Sequence, residues 1–110
     1  MIEDTIQKIE RRIAGAETLS EKTRDDLSVL LVALKDEIEK LPAAHGEHAE
    51  SITQFMDAST HEVTRQSTNQ SLLDLSIQGL EQSVKDFEVT YPKLAETVNS
   101  FCSMLSGIGI

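Results

Sequence analysis

The sequence predicts an all-α protein. Its parts are an N-terminal helical hairpin, a long third helix with coiled-coil-like heptads and a short C-terminal helix, joined as an oligomeric helical bundle. Three observations lead there. Apolar residues recur at steps of four and three in every long segment, the spacing that turns one stripe of an α-helix toward a neighbour. The longest such ladder runs Ile52, Met56, Ser59, Val63, Gln66, Gln70, Leu73, Ile77, Leu80, Val84, Phe87 and Tyr91 without a slip. The two prolines follow Leu41 and Tyr91, between stripes, and a residue before proline is turned away from helical geometry.

In chain order, Ile2, Ile6, Ile9, Ile13 and Ala16 form a short amphipathic helix with Gly15 as its candidate stop. Ser20 is placed as an N-cap, with Glu21 in the first turn of the next helix. Leu27, Leu30, Leu31, Leu34, Ile38 and Leu41 make its apolar face, widened by Val29 and Val32. One continuous helix is the competing reading, because Ile6, Ile13, Leu27, Leu34 and Leu41 share a seven-residue frame broken only at Ser20. The turn signals near 15–20 favour a hairpin over residues 1–41, closed by Leu41-Pro42.

The third helix is predicted over 47–89, with 57–70 as its weak point. Thr60, Thr64, Ser67, Thr68 and Asn69 are indifferent helix formers, and ladder positions Gln66 and Gln70 are polar. Unbroken phase across this stretch favours one continuous helix over two helices joined by a mobile polar stretch, and the two glutamines are read equally as polar layers that set the register of a paired assembly or as side chains facing solvent. The last helix is predicted over 92–107, started by Pro92 and striped by Leu94, Val98, Phe101, Leu105 and Ile108. Residues 1–110 thus form one domain.

Charge narrows the function classes. The 110 residues carry ten Lys and Arg against nineteen Asp and Glu, a net charge of −9. That balance argues against a nucleic-acid backbone and against an anionic membrane surface, both of which select clustered bases. The single cysteine, Cys102, allows no internal disulfide and suits a reducing compartment. No run is long enough to span a bilayer, and Met1-Ile2-Glu3-Asp4 lacks the features of a signal peptide, so a cytoplasmic protein is expected.

Chemistry is hard to find. His45 and His48 are spaced i,i+3 and invite a metal reading, but His61 stands too far along the chain to join them. Exposed linker histidines are the plainer account. Cys102 has no base beside it in sequence and borders an apolar stripe, as a small buried hydrophobe does. The glycines at 15, 46, 79, 107 and 109 form no phosphate-cradling loop, and Gly79 inside the ladder suggests a close helix crossing or a bend.

In its last quarter, Phe87-Glu88-Val89-Thr90-Tyr91-Pro92-Lys93-Leu94, an amphipathic helix and the ending Gly107-Ile108-Gly109-Ile110 follow one another. With the Leu19-Ser20 cap and the leucine-rich second helix, this resembles the small bacterial proteins of domain-of-unknown-function family 4404. Tyr91 stands where that family usually has His. The resemblance implies a small helical bacterial protein and brings no activity with it.

The expectation is therefore a non-enzymatic structural or interaction protein without cofactor. It would pair as a homodimer or higher oligomer through Ile52, Met56, Val63, Gln66, Gln70, Leu73, Ile77, Leu80, Val84, Phe87 and Tyr91, and so build a surface for another protein. Two alternatives belong to other classes. One is a small secreted helical-hairpin effector, although the expected Trp-x-Gly turn is absent; the other is a metal-binding protein using His45 and His48.

Overall fold

Every apolar stripe forms a helix in the computed structural model, which describes residues 2–109. Met1 and the terminal Ile110 of the Gly-Ile ending lie outside the described residues. The isoleucine stripe makes α1 (Ile2–Ala14), burying Ile6, Ile9 and Ile13. Glu3 and Asp4 in its first turn and Arg11 and Arg12 in its last complement the helix dipole.

Gly15 follows the end of α1, yet no glycine among the described residues has positive φ, so the stop is not a left-handed cap. Instead Ala16 and Leu19 turn inward to the core. Arg24 of the next helix donates from Nη1 to the Ala16 carbonyl at 2.9 Å, tying the turn down. Helix α2 (Glu21–Glu39) is capped by Ser20, whose Oγ accepts from the Thr23 N–H at 3.2 Å. The hairpin is present, and Leu27, Leu31, Leu34 and Ile38 are its inward face. Val29 and Val32 do not widen that face; they point outward.

After a 3₁₀ turn at Ala43–His45, the region expected as one helix over 47–89 is two. Helix α3 (Gly46–Thr64) ends where Arg65 becomes extended, and α4 (Gln70–Ser83) begins behind Asn69, whose Oδ1 accepts from the Leu72 N–H at 3.1 Å. Ser67, Thr68 and Asn69 favour turns and caps through side-chain bonds to nearby backbone, and here that preference wins. The ladder keeps its phase because α3 and α4 each turn a four-three stripe to the same core. Gln66 and Gln70 are exposed at the turn, so they form no polar layer. A second 3₁₀ turn at Lys85–Phe87 leads to α5 (Pro92–Gly109). With 18 residues α5 is not short, and it continues through Gly107.

The helices close a ring. Helix α1 packs on α2 and α3, α3 on α4, α4 on α5, and α5 on α2, with a further contact of α3 on α5. Lys8 meets Asp57 and Arg12 meets His61, a constant offset of 49 residues, so α1 and α3 run parallel. The radius of gyration is 13.0 Å, which matches the roughly 13 Å of a compact chain of this length. The core is aliphatic around Phe101, with Ile6, Ile9, Ile13, Leu27, Leu34, Ile52, Met56, Leu73, Leu80 and Leu94 fully enclosed. Thr53 and Ser59 inside it bond back to their own helix, to the Ala49 carbonyl at 2.7 Å and the Phe55 carbonyl at 2.8 Å, whereas the hydroxyl of the buried Thr60 has no hydrogen-bond partner among the described residues.

Candidate interaction surface

The outward face of the α3–α4 hairpin is built around a glycine. Gly79 sits on α4 directly beneath the Phe55 ring of α3, and a Cβ at that position would overlap the ring. The missing side chain lets the ring lie flat against α4, which accounts for a residue that costs about 1 kcal/mol relative to Ala inside a helix. One turn before Gly79 stands Leu75, and one turn before that Leu72. Phe55 is 39%, Leu72 45% and Leu75 62% exposed. Since α4 runs back along α3 from the Phe55–Gly79 contact, these three side chains lie along one strip across both helices.

The strip is out of phase with the ladder. Ile52, Met56, Ser59, Val63, Leu73, Ile77, Leu80, Val84 and Phe87 are buried inside the chain, and Tyr91 is half-buried. The ladder residues expected to join two copies are therefore buried within their own chain, where α3 and α4 pack on each other and on α1 and α5, apart from exposed Gln66 and Gln70. Phe55, Leu72 and Leu75 were not among the expected interaction residues. Their signal was there: large apolar residues between ladder positions, on helices whose cores were already supplied.

The formal charges on the two helices themselves have one sign. Helices α3 and α4 carry Glu47, Glu50, Asp57, Glu62, Asp74 and Glu81 and no Lys or Arg. Arg65, in the turn, pairs with Glu62 at 2.7 Å. Asp57 faces α1, with Lys8 Nζ and Arg12 Nε each 3.4 Å away. The Arg12 contact is ionic without a directed hydrogen bond. Arg12 Nη1 and His61 Nδ1 lie 3.0 Å apart; since a guanidinium can only donate, the imidazole nitrogen accepts.

The two histidines considered for metal lie at another end of the bundle, where their rings pack edge-on around Phe87. His45 is 5.1 Å and His48 5.3 Å from Phe87 between ring centroids, and Tyr91 closes the group 5.7 Å from His45. This arrangement fastens the start of α3 to the turn before α5. Among the described residues no group of three or more His, Cys, Asp and Glu is placed to hold a metal ion.

Cys102 lies at the base of a polar groove between α4 and α5, beside Glu81, Ser103 and Ser106. Burial, then the nearby Glu81 carboxylate, push its thiol up to about 12. Such a thiol stays protonated and is a poor nucleophile. Among the described residues no helix is long and apolar enough to cross a membrane.

Comparison with known proteins agrees with the resemblance in the last quarter of the chain. A family model described as a domain of unknown function (DUF4404) matches residues 27–110. That span takes in α3–α4 and α5, together with α2 from Leu27 onward, and leaves out α1. Neither the curated proteins nor the solved structures gave a match.

Proposed function

The chain belongs to the family described as a domain of unknown function (DUF4404), and from its own surface we propose that it is a non-enzymatic cytoplasmic interaction module that binds another protein through the outward face of α3–α4. The supporting observation is the strip of Phe55, Leu72 and Leu75, three large apolar side chains at the surface of α3–α4, with the Phe55 ring seated over Gly79. Contiguous exposed apolar surface of this kind is where soluble domains meet partners. Cofactor-free binding fits a protein whose one cysteine is a protonated core thiol and whose histidines pack on aromatic rings. The net charge of −9 supports a protein partner over a nucleic acid or an anionic membrane.

A photo-crosslinking amino acid placed at position 75 in the native cells tests this directly. A discrete crosslinked product from position 75, missing when the same group is placed at position 29 on α2, is the expected result. Absence of product from positions 55, 72 and 75 alike would end the proposal.

Self-association, in this reading, belongs to α2. Val29 and Val32 are 70% and 56% exposed on one turn, among Lys22, Asp25, Asp36 and Lys40. Charges of both signs let two copies of one face meet without repulsion, as a two-fold contact requires. Light scattering on the native chain and on a Val29→Glu/Val32→Glu variant checks it. An assembly that the variant leaves intact would exclude α2.

A further inference from the structure

We propose that α3 and α4 can open at residues 65–69 into one helix, and that two open copies exchange their α4–α5 units to form a domain-swapped dimer. The α2 contact joins closed copies; this route joins open ones and needs neither that surface nor the strip. It starts from the phase of the ladder. Val63, Gln66, Gln70 and Leu73 step by three, four and three across the turn, so the stripes of α3 and α4 fall on one line if residues 65–69 become helical. A hairpin has no need of this, because a turn of any phase can fold α4 back on α3. Two long helices paired along their whole length do need it.

The turn presents no obstacle to a helix. Arg65-Gln66-Ser67-Thr68-Asn69 contains neither glycine nor proline, and no described residue has positive φ. Ser67, Thr68 and Asn69 are weak helix formers rather than breakers. Arg65 already pairs with Glu62 at i,i+3, a spacing that a continuous helix keeps. The joined helix would run from Gly46 to Ser83, about 57 Å at about 1.5 Å per residue.

Register agrees with phase. The Phe55 ring lies over Gly79, and the position midway between them is 67, the middle of the turn. Two straight helices paired antiparallel about a two-fold axis at residue 67 bring Phe55 of each copy to Gly79 of the other. The contacts of α3 with α4, and of α5 with α2 and α3, then form between copies, while those of α1 with α2 and α3 and of α4 with α5 stay within one. The same core closes twice, so the strip of Phe55, Leu72 and Leu75 is displayed twice on one particle. Gln66 and Gln70, exposed in the closed chain, fall on the paired stripes beside the axis and become the polar layer that the closed chain lacks. Exchange of an identical element reuses native contacts, which makes it an accessible route to a dimer. The closed chain dominates at low concentration, since closing a short turn loses less entropy than joining two chains. Interconversion is slow, because α4–α5 must leave the core around Phe101.

The test refolds the full chain, spin-labelled at the exposed positions Gln54 and Gln78 in a Cys102→Ala background, from urea with excess unlabelled chain. Refolding is done at micromolar and at millimolar concentration, and monomer and dimer are separated by size. The dimer should form at the higher concentration and persist on dilution. Its labels should lie about 36 Å apart at about 1.5 Å per residue, while those of the monomer stay below about 20 Å, as packed neighbouring helices require. Inserting Ala-Ala between Ser67 and Thr68 only lengthens the turn of the closed chain, but rotates the α4 stripe by about 200° in an open one. It should lower the dimer fraction at least about tenfold and leave the monomer's circular dichroism unchanged. A seven-residue insertion, nearly two full turns, restores the phase and should restore the dimer. A dimer whose labels stay below about 20 Å apart is held by a surface such as α2 and overturns the proposal. So does a dimer fraction that the Ala-Ala insertion leaves unchanged, or a chain that refolds only to monomer at millimolar concentration.

Discussion

Three leucines lie within four residues of α4 and have different fates, which makes the packing measurable. Leu73 is 0% exposed, while Leu72 and Leu75 are at the surface. Leu73→Ala removes three carbons from a filled core, a transfer loss of about 2.4 kcal/mol at about 0.8 kcal/mol per buried methylene. On the order of 40 Å³ left open adds about 1 kcal/mol at about 24 cal/mol per Å³. The expected loss is therefore about 3 kcal/mol, a large share of the roughly 5–15 kcal/mol that stabilises a domain. In urea, with a slope of about 1.5 kcal/mol per molar, the midpoint falls by about 2 M. Leu75→Ala, in the same helix and with the same change in propensity, should stay within about 0.5 kcal/mol of the native chain. Equal losses in the two variants would refute the inward face assigned to α4, and with it the placement of the strip.

Other expectations follow from single contacts. Ser20→Ala and Asn69→Ala each remove a side-chain cap and should cost about 1 kcal/mol in the same titration. Asp57→Ala loses ionic contacts of a part-exposed carboxylate with Lys8 and Arg12; the cost should be under about 1 kcal/mol and shrink in high salt. Cys102 should react slowly with a disulfide reagent at neutral pH in the folded chain and rapidly in urea. Its thiol is raised to about 12 in the fold, against about 8.5 when unfolded. Its contribution to stability is thus complete below the unfolded value and is lost as pH climbs toward the folded one. Stability should decline over that alkaline range, less steeply in Cys102→Ala.

The elements legible in sequence were those set by local rules. The isoleucine spacing of α1, the Ser20 cap, and the boundaries at Pro42 and Pro92 all act within one turn of helix, and they appear where expected. The break at 65–69 was harder, because stripe phase does not distinguish one helix meeting a partner from two helices folded on one core. Asn69 was the better guide: its amide caps α4, a role it can take only where a helix begins. For Gly79 a close crossing was one of the readings considered, yet the ring above it belongs to Phe55, 24 positions earlier. Such a pairing depends on how α4 folds back, which no local pattern states. His45 and His48 likewise find their neighbours in Phe87 and Tyr91, across α3 and α4.

The central claim is that the ladder from Ile52 to Tyr91 folds back on itself within one chain and so leaves Phe55, Leu72 and Leu75 outside. Gln54 and Gln78 are exposed neighbours of the Phe55–Gly79 contact. Spin labels at these two positions, in a Cys102→Ala background and diluted into unlabelled protein, report the distance within a single chain. The folded hairpin predicts a separation below about 20 Å, since two packed helices lie about 8–10 Å apart between axes. A continuous helix would hold the labels about 36 Å apart at about 1.5 Å per residue, and that distance would contradict the account.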